Sequence, residues 1–217
     1  MDPVRPTRAE RVSDAVVHIT GVVLALMAAP VLITLAVIRL GDPTYVTAAV
    51  IYGVSLVLML TCSAFYHLLP APAWKDWLRR LDQSAIYFKI AGTYTPFSIL
   101  ATGTTGAFLA GIWSAALAGA AAIIFGPNWL RRPSLVLYLG IGWAGLIAGG
   151  SLFADMSPVG FGLILAGGCI YTFGVCFFLW ESLPFNTTIW HVMVLAASAL
   201  VYSAVIVEYW GRAPTLV

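Results

Sequence analysis

The sequence predicts an all-α protein, a bundle of seven membrane-crossing helices, and three observations carry that prediction. Hydrophobic residues make up 61% of the 217 and charged residues only 9%, against about 25% charged in an ordinary soluble domain. Seven apolar runs of roughly 18 residues or more, the length a helix needs to cross the hydrocarbon core, take up nearly the whole chain. Gly, Pro, Asn and Asp punctuate the breaks between them, as turns require.

Each run can be justified in order. Residues 14–38 follow a short basic tail (about 1–13) with Arg5, Arg8 and Arg11. The run exceeds the ~7–15 residues of a signal-peptide core, so it counts as the first span. After "LGDP" comes 45–69, closing on "CSAFYHLLP". The long break "LPAPAWKDWLRRLD" precedes 83–102, where Pro96 in "GTYTPF" is expected to kink the helix and open a cavity beneath Lys89. "TGTTG" and "GPNWLRRP" bound 105–126 and 133–153. Both are rich in Gly and Ala, which let helix backbones approach closely in lipid, and both read as scaffold. "DMSP" and "ESLPFN" precede 159–180 and 188–209. Little sequence remains outside these spans, so 1–217 is expected to be a single integral membrane domain.

Charge sets the expected orientation. Arg5, Arg8, Arg11, Lys75, Arg79, Arg80, Arg131 and Arg132 flank the spans on one side, while Arg39 and Arg212 flank them on the other. The positive-inside rule then puts the N-terminus in the cytoplasm and the C-terminus outside. Trp74, Trp77, Trp129, Trp180, Trp190 and Trp210 lie near span ends, where aromatic belts form. A net charge of +2 implies no nucleic-acid partner; the expected contact is membrane lipid. Cys62, Cys169 and Cys176 fall inside apolar runs, and an odd number there is no disulfide framework.

The chemistry concentrates at one end. Asp14 and His18 open the first span, Ser63 and His67 close the second, Asp82 opens the third, Glu181 closes the sixth and His191 opens the seventh. With alternating direction all of these share one layer, which holds all three histidines. Asp42, Asp155 and Glu208 fall in the opposite layer. Asp14/His18, Ser63/His67 and Thr187/His191 are each four apart and stack on one helix face. Imidazoles and carboxylates converging from separate helices suit zinc, which takes tetrahedral nitrogen and oxygen donors. A lone histidine at a span end more simply bonds nearby backbone; three together beside Asp82 favour a shared site, because ionisable groups in lipid usually face the bundle interior. Lys89 lies about 10 Å deeper than Asp82 at ~1.5 Å per residue. Its alternatives are an ion pair with Asp82 or another carboxylate, snorkelling toward the cytoplasm, or a contact with a proton or lipid headgroup.

The motifs "ERVSDAVVH" (Glu10–His18), "SAFYHLLP" (Ser63–Pro70), "LDQSAIYFKIAGTYTPF" (Leu81–Phe97) and "IWHVMVLAAS" (Ile189–Ser198) resemble the bacterial hemolysin III proteins. Those belong to the superfamily of progestin and adipoQ receptors. The resemblance covers nearly the whole chain in order. It implies seven helices in the bacterial inner membrane, the N-terminus inside, and a zinc ion near the cytoplasmic face. By that likeness Ser63 and His67 belong to the site, Asp82 supports its water, and His191 is the second histidine of an H-x-x-x-H pair. The first histidine of the pair is replaced by Thr187. Three outcomes are open: His18 takes its place, Thr187 or Asn186 supplies a weaker contact, or the ion is held poorly or not at all. Two functions follow from the resemblance. One is zinc-dependent hydrolysis of a lipid amide of ceramide type, with Asp82 and Ser63 catalytic and His67, His191 and His18 on the metal. The other is non-enzymatic pore formation or cytolysis, although no span carries the continuous polar stripe of a channel.

Overall fold

The computed structural model describes residues 7–212 except 104, 128, 130 and 149, and leaves out the side chains of 131–133, 148, 150 and 151. Arg5 and the side chains of Arg131 and Arg132, used above for orientation, lie outside the described residues. Among the described residues there are seven long helices and no strand. They are α1 (Arg8–Arg39), α2 (Pro43–Leu68), α3 (Lys75–Leu100), α4 (Gly106–Phe125), α5 (Arg131–Ala148), α7 (Pro158–Leu179) and α8 (Asn186–Gly211). A one-turn helix, α6 (Gly150–Phe153), falls between α5 and α7, and a 3₁₀ turn (Pro72–Trp74) precedes α3. Five helices, α1, α2, α4, α7 and α8, are long and apolar enough to cross a membrane, and Ser134–Ile147 of α5 is apolar but shorter. The chain is a multi-pass membrane protein.

Local sequence explains the helix ends. Thr7 caps α1 in a capping box with Glu10, each satisfying the other's backbone N–H. Gly41, at φ +65°, takes the left-handed conformation that ends α1 at no steric cost. Asp42 then caps α2, accepting from Thr44 N at 2.7 Å, with Pro43 as its first residue. Ser157 and Pro158 repeat that pattern on α7.

Packing separates two kinds of helix. On α1 the buried residues His18, Gly21, Ala25, Ala29, Leu32 and Ala36 recur every three or four positions, a single stripe. Its other faces expose Leu24, Met27, Val31 and Ile38, which is the proper outside for a protein dissolved in lipid. By contrast α3 is buried along most of its length, from Ser84 to Leu100, and packs on α2, α4, α5 and α8. Shielded from lipid, it is the helix that can carry polar residues. The close packing of α2 on α3 depends on Gly92: a Cβ there would stand 2.2 Å from Ser55 Oγ and 2.7 Å from Ser55 Cβ.

One expectation is revised and one open choice is narrowed. The third helix begins at Lys75 rather than near 83, so much of the expected loop is helix. Asp76 in its first turn bonds Arg79 at 3.0 Å and Arg80 at 3.1 Å. Hydropathy marks where lipid begins, not where the helix begins. Of the alternatives for Lys89, the ion pair with Asp82 is not formed among the described residues. Instead Lys89 Nζ donates to Thr93 Oγ1 at 2.6 Å and stands 4.7 Å from the centre of the Tyr52 ring. Thr93 is one turn further from Asp82, so the ammonium points deeper into the bundle rather than snorkelling toward the histidines.

At the end of the bundle opposite the histidines, carboxylates act as clamps. Asp155 accepts from Thr102 N at 2.8 Å and Thr102 Oγ1 at 2.5 Å. Glu208 accepts from Ser157 Oγ at 2.6 Å and Ser157 N at 3.1 Å. Arg39 bonds the Trp210 carbonyl at 3.0 Å while lying over its ring.

Candidate metal centre

The end of the bundle where α1, α3 and α8 begin and α2 ends gathers the polar side chains. Four of them, Asp14 and His18 of α1, His67 of α2 and His191 of α8, each offer a donor atom, and these atoms all lie within 4.8 Å of one another. The i, i+4 spacing stacks Asp14 below His18, with His18 Nε2 3.6 Å from Asp14 Oδ1. His67 occupies the last turn of α2, and its Nδ1 is 3.0 Å from Asp14 Oδ2. His191 Nδ1 is 3.1 Å from Asp14 Oδ1. The ring centroids are 4.7 Å apart for His18 and His67, 4.2 Å for His18 and His191, and 4.5 Å for His67 and His191. Three nitrogens from three helices thus point at one carboxylate.

The donors suit a cation. His18 is 4% exposed, yet its Nε2 has no hydrogen-bond partner among the described residues. Leaving a buried polar atom unpaired costs about 1–3 kcal/mol, and a metal ion is a partner that removes the cost. Zinc bonds imidazole nitrogen at ~2.0–2.1 Å, so the donors need only draw in modestly to close on one ion. Two carboxylates, Asp14 and Asp82, lie at this level, and their charge matches a divalent cation.

Asp82 stands outside the four-donor group. It faces the Ser63 hydroxyl across the α2–α3 contact and lies within the electrostatic reach of His67, His191 and Lys75. Ser63 is buried. Tyr66 packs edge-on against His67 at 4.8 Å, and Lys75 donates to the Tyr66 carbonyl while lying over its ring. Glu181 is exposed and is not part of the group.

The structure therefore brings His18, His67 and His191 to one point. The Thr187 hydroxyl donates to Asn186 Oδ1 at 3.3 Å. The donor that the sequence reading left out is Asp14. Its signal was the four-residue spacing to His18, which was read as a neighbour rather than as a donor in its own right.

A multi-pass helical bundle with a histidine–aspartate cluster at one end defines the class of protein. Residues 8–202 match the haemolysin-III related family. Over 199 residues the chain is 38% identical to hemolysin-3 of Bacillus cereus, covering 91% of this chain and 90% of that one. It is 37% identical over 199 residues to the hemolysin-3 homolog of Bacillus subtilis (strain 168), covering 91% and 93%. It is also 28% identical over 223 residues to the human monocyte to macrophage differentiation factor, covering 97% and 89%. The chain belongs to the haemolysin-III related family.

Proposed function

We propose that this chain holds a zinc ion on His18, His67 and His191, with Asp14 as the further donor. We propose further that the centre acts on the amide of a membrane lipid, of ceramide type, in maintaining the membrane. The observation that carries the reading is the convergence of four donors around the unpartnered, buried His18 Nε2. Three imidazoles and one carboxylate are a donor set that zinc favours. Arg8, Arg11, Lys75, Arg79 and Arg80 all lie at this end of the bundle, which supports placing it at the cytoplasmic side of the bacterial inner membrane, with the C-terminus outside.

Bound there, zinc supplies a Lewis acid and acidifies a water. In this reading the chain's own residues do the rest. Asp82 orients the attacking water, takes its proton and returns it to the amine nitrogen as the C–N bond breaks. Ser63, facing the same carboxylate, donates to the amide oxygen as charge develops on it. A site at the membrane edge admits a lipid from the side, its acyl chains staying in the hydrocarbon.

The donor count favours a second reading. Four protein donors form a closed set, as in structural zinc sites, whereas catalytic sites keep one position for water. Under that reading the ion ties α1, α2 and α8 together and performs no chemistry. Elemental analysis of the purified protein comes first: about one zinc per chain is expected, lost in His67→Ala. Labelled ceramides then divide the readings. Turnover that disappears in Asp82→Asn supports the hydrolase. Bound zinc without turnover leaves the structural tie, and no zinc in the wild type removes the centre altogether.

A further inference from the structure

We infer that Glu10 is a positioning residue: it sets the register of α1 against α8 and thereby the approach of Asp14 to His191. Its consequence for metal affinity rests on the zinc reading above; its geometry does not.

Glu10 serves two helices at once. Its Oε2 accepts from Thr7 N at 2.7 Å and Thr7 Oγ1 at 2.8 Å, closing the capping box of α1. Its Oε1 accepts from Phe185 N at 3.0 Å. Phe185 is the residue before α8, and it has no side-chain cap of its own. A carboxylate from α1 thus supplies what the Glu at the third position of a capping box normally supplies, an acceptor for the N–H of the N-cap residue and a negative charge at a helix N-terminus.

Phe185 also adopts φ 60° and ψ 17°, the left-handed conformation, and is the one non-glycine residue with positive φ among the described residues. A bulky side chain there costs free energy and persists only where the surroundings enforce it. The Glu10 contact to Phe185 N–H holds this turn from α1, beside the backbone bond from Asn186 N–H to the Leu183 carbonyl at 3.1 Å.

Two more rungs follow along the same contact. Ser13 Oγ bonds Thr188 Oγ1 at 3.1 Å, and Asp14 Oδ1 bonds His191 Nδ1 at 3.1 Å. Positions 10, 13 and 14 on α1 meet 185, 188 and 191 at and after the start of α8, 175, 175 and 177 positions away, so the two helices run parallel. Glu10 is the first rung and the only charged group in the two outer rungs. Without it, the strained turn before α8 relaxes and His191 drifts from Asp14.

The test uses full-length protein in detergent micelles. First, ¹⁵N spectra of the histidine rings are taken without metal. Glu10→Ala should move the His191 signals away from their hydrogen-bonded pattern, and Glu10→Gln, which keeps an oxygen for Phe185 N–H, should retain most of it. Second, cobalt titration reads affinity and coordination from the visible absorption bands. Glu10→Ala should weaken cobalt binding by about tenfold or more, the scale of losses when groups that orient metal ligands are removed. Adding Phe185→Gly to Glu10→Ala should recover much of that loss, because glycine adopts the left-handed turn without strain; the pair also serves if Glu10→Ala alone does not fold. Unchanged His191 signals in Glu10→Ala overturn the proposal, as does a cobalt affinity within twofold of wild type. If wild type takes up no cobalt, the zinc reading fails and the ring spectra alone judge Glu10.

Discussion

Asp14 and His191 lie 177 positions apart in the chain and meet at 3.1 Å where α1 and α8 run side by side. Asp14 reaches His67 at 3.0 Å with its other oxygen. One carboxylate therefore orders imidazoles from two other helices, and its charge is the property to test.

Replacing Asp14 by Asn keeps the shape and removes the charge. Zinc affinity, measured by competition with a chromogenic chelator, should fall by about 10–100-fold. In that background Thr187→His should restore much of the loss. Position 187 is one turn before His191 on the same face of α8, and histidine is a zinc donor where threonine is not. Failure of the second histidine to raise affinity would show that this face of α8 turns away from the ion.

Lys89 offers a test in the opposite direction. It is 4% exposed and has Thr93 and the Tyr52 ring as partners but, among the described residues, no carboxylate. Burying a charge without a counter-charge is costly. Lys89→Met keeps most of the volume and removes that cost, so thermal unfolding in detergent should show equal or higher stability. A clear loss of stability would mean that the ammonium contributes more through Tyr52 and Thr93 than its burial costs.

Gly92 fixes how closely α2 and α3 approach. In Gly92→Ala the new methyl group meets Ser55, whose own hydroxyl is bonded to the Tyr52 carbonyl at 2.8 Å, so the helices must separate. Overpacking of this kind costs about 1–3 kcal/mol. A lower midpoint of thermal unfolding is expected, and Ser55→Gly should relieve part of it.

Acid should loosen the start of α8. Hydrogen bonds from Phe185 N–H, and then from the backbone and side chain of Thr7, hold Glu10 below its ordinary value of 4.5. A folded-state value lower than the unfolded one adds stability above the unfolded value, lost as pH falls through the folded one. The contact is therefore complete at neutral pH and is lost in acid below the usual glutamate range. The amide proton of Phe185, followed by NMR, should show one transition there, and Glu10→Gln should abolish it.

The bundle was legible because lipid leaves a strong mark on composition: six of the seven apolar runs each fall on one long helix, and 133–153 takes in α5 and the one-turn α6. The layer of histidines was legible too, since alternating direction fixes depth without any knowledge of packing. Less could be read where one helix meets another. Asp14 and His18 announced themselves as a pair by spacing, but that Asp14 also faces His67 and His191 depends on how α1, α2 and α8 are rotated, and rotation leaves no trace in a single apolar stripe. The Glu10–Phe185 contact was hidden for the same reason, and because a left-handed phenylalanine has no propensity that predicts it. For Lys89 the sequence left several partners open, Asp82 among them; its side chain points the other way, toward Thr93, which spacing alone could not decide.

The burial of α3 has a consequence for how the chain is made. Asp82, Lys89 and its run of Ser, Thr and Tyr are tolerable only because α2, α4, α5 and α8 surround them. Handed alone from the translocon to the lipid, this segment would partition poorly. It has to leave the insertion machinery already leaning on α2, as a hairpin, and wait there for the later helices to enclose it.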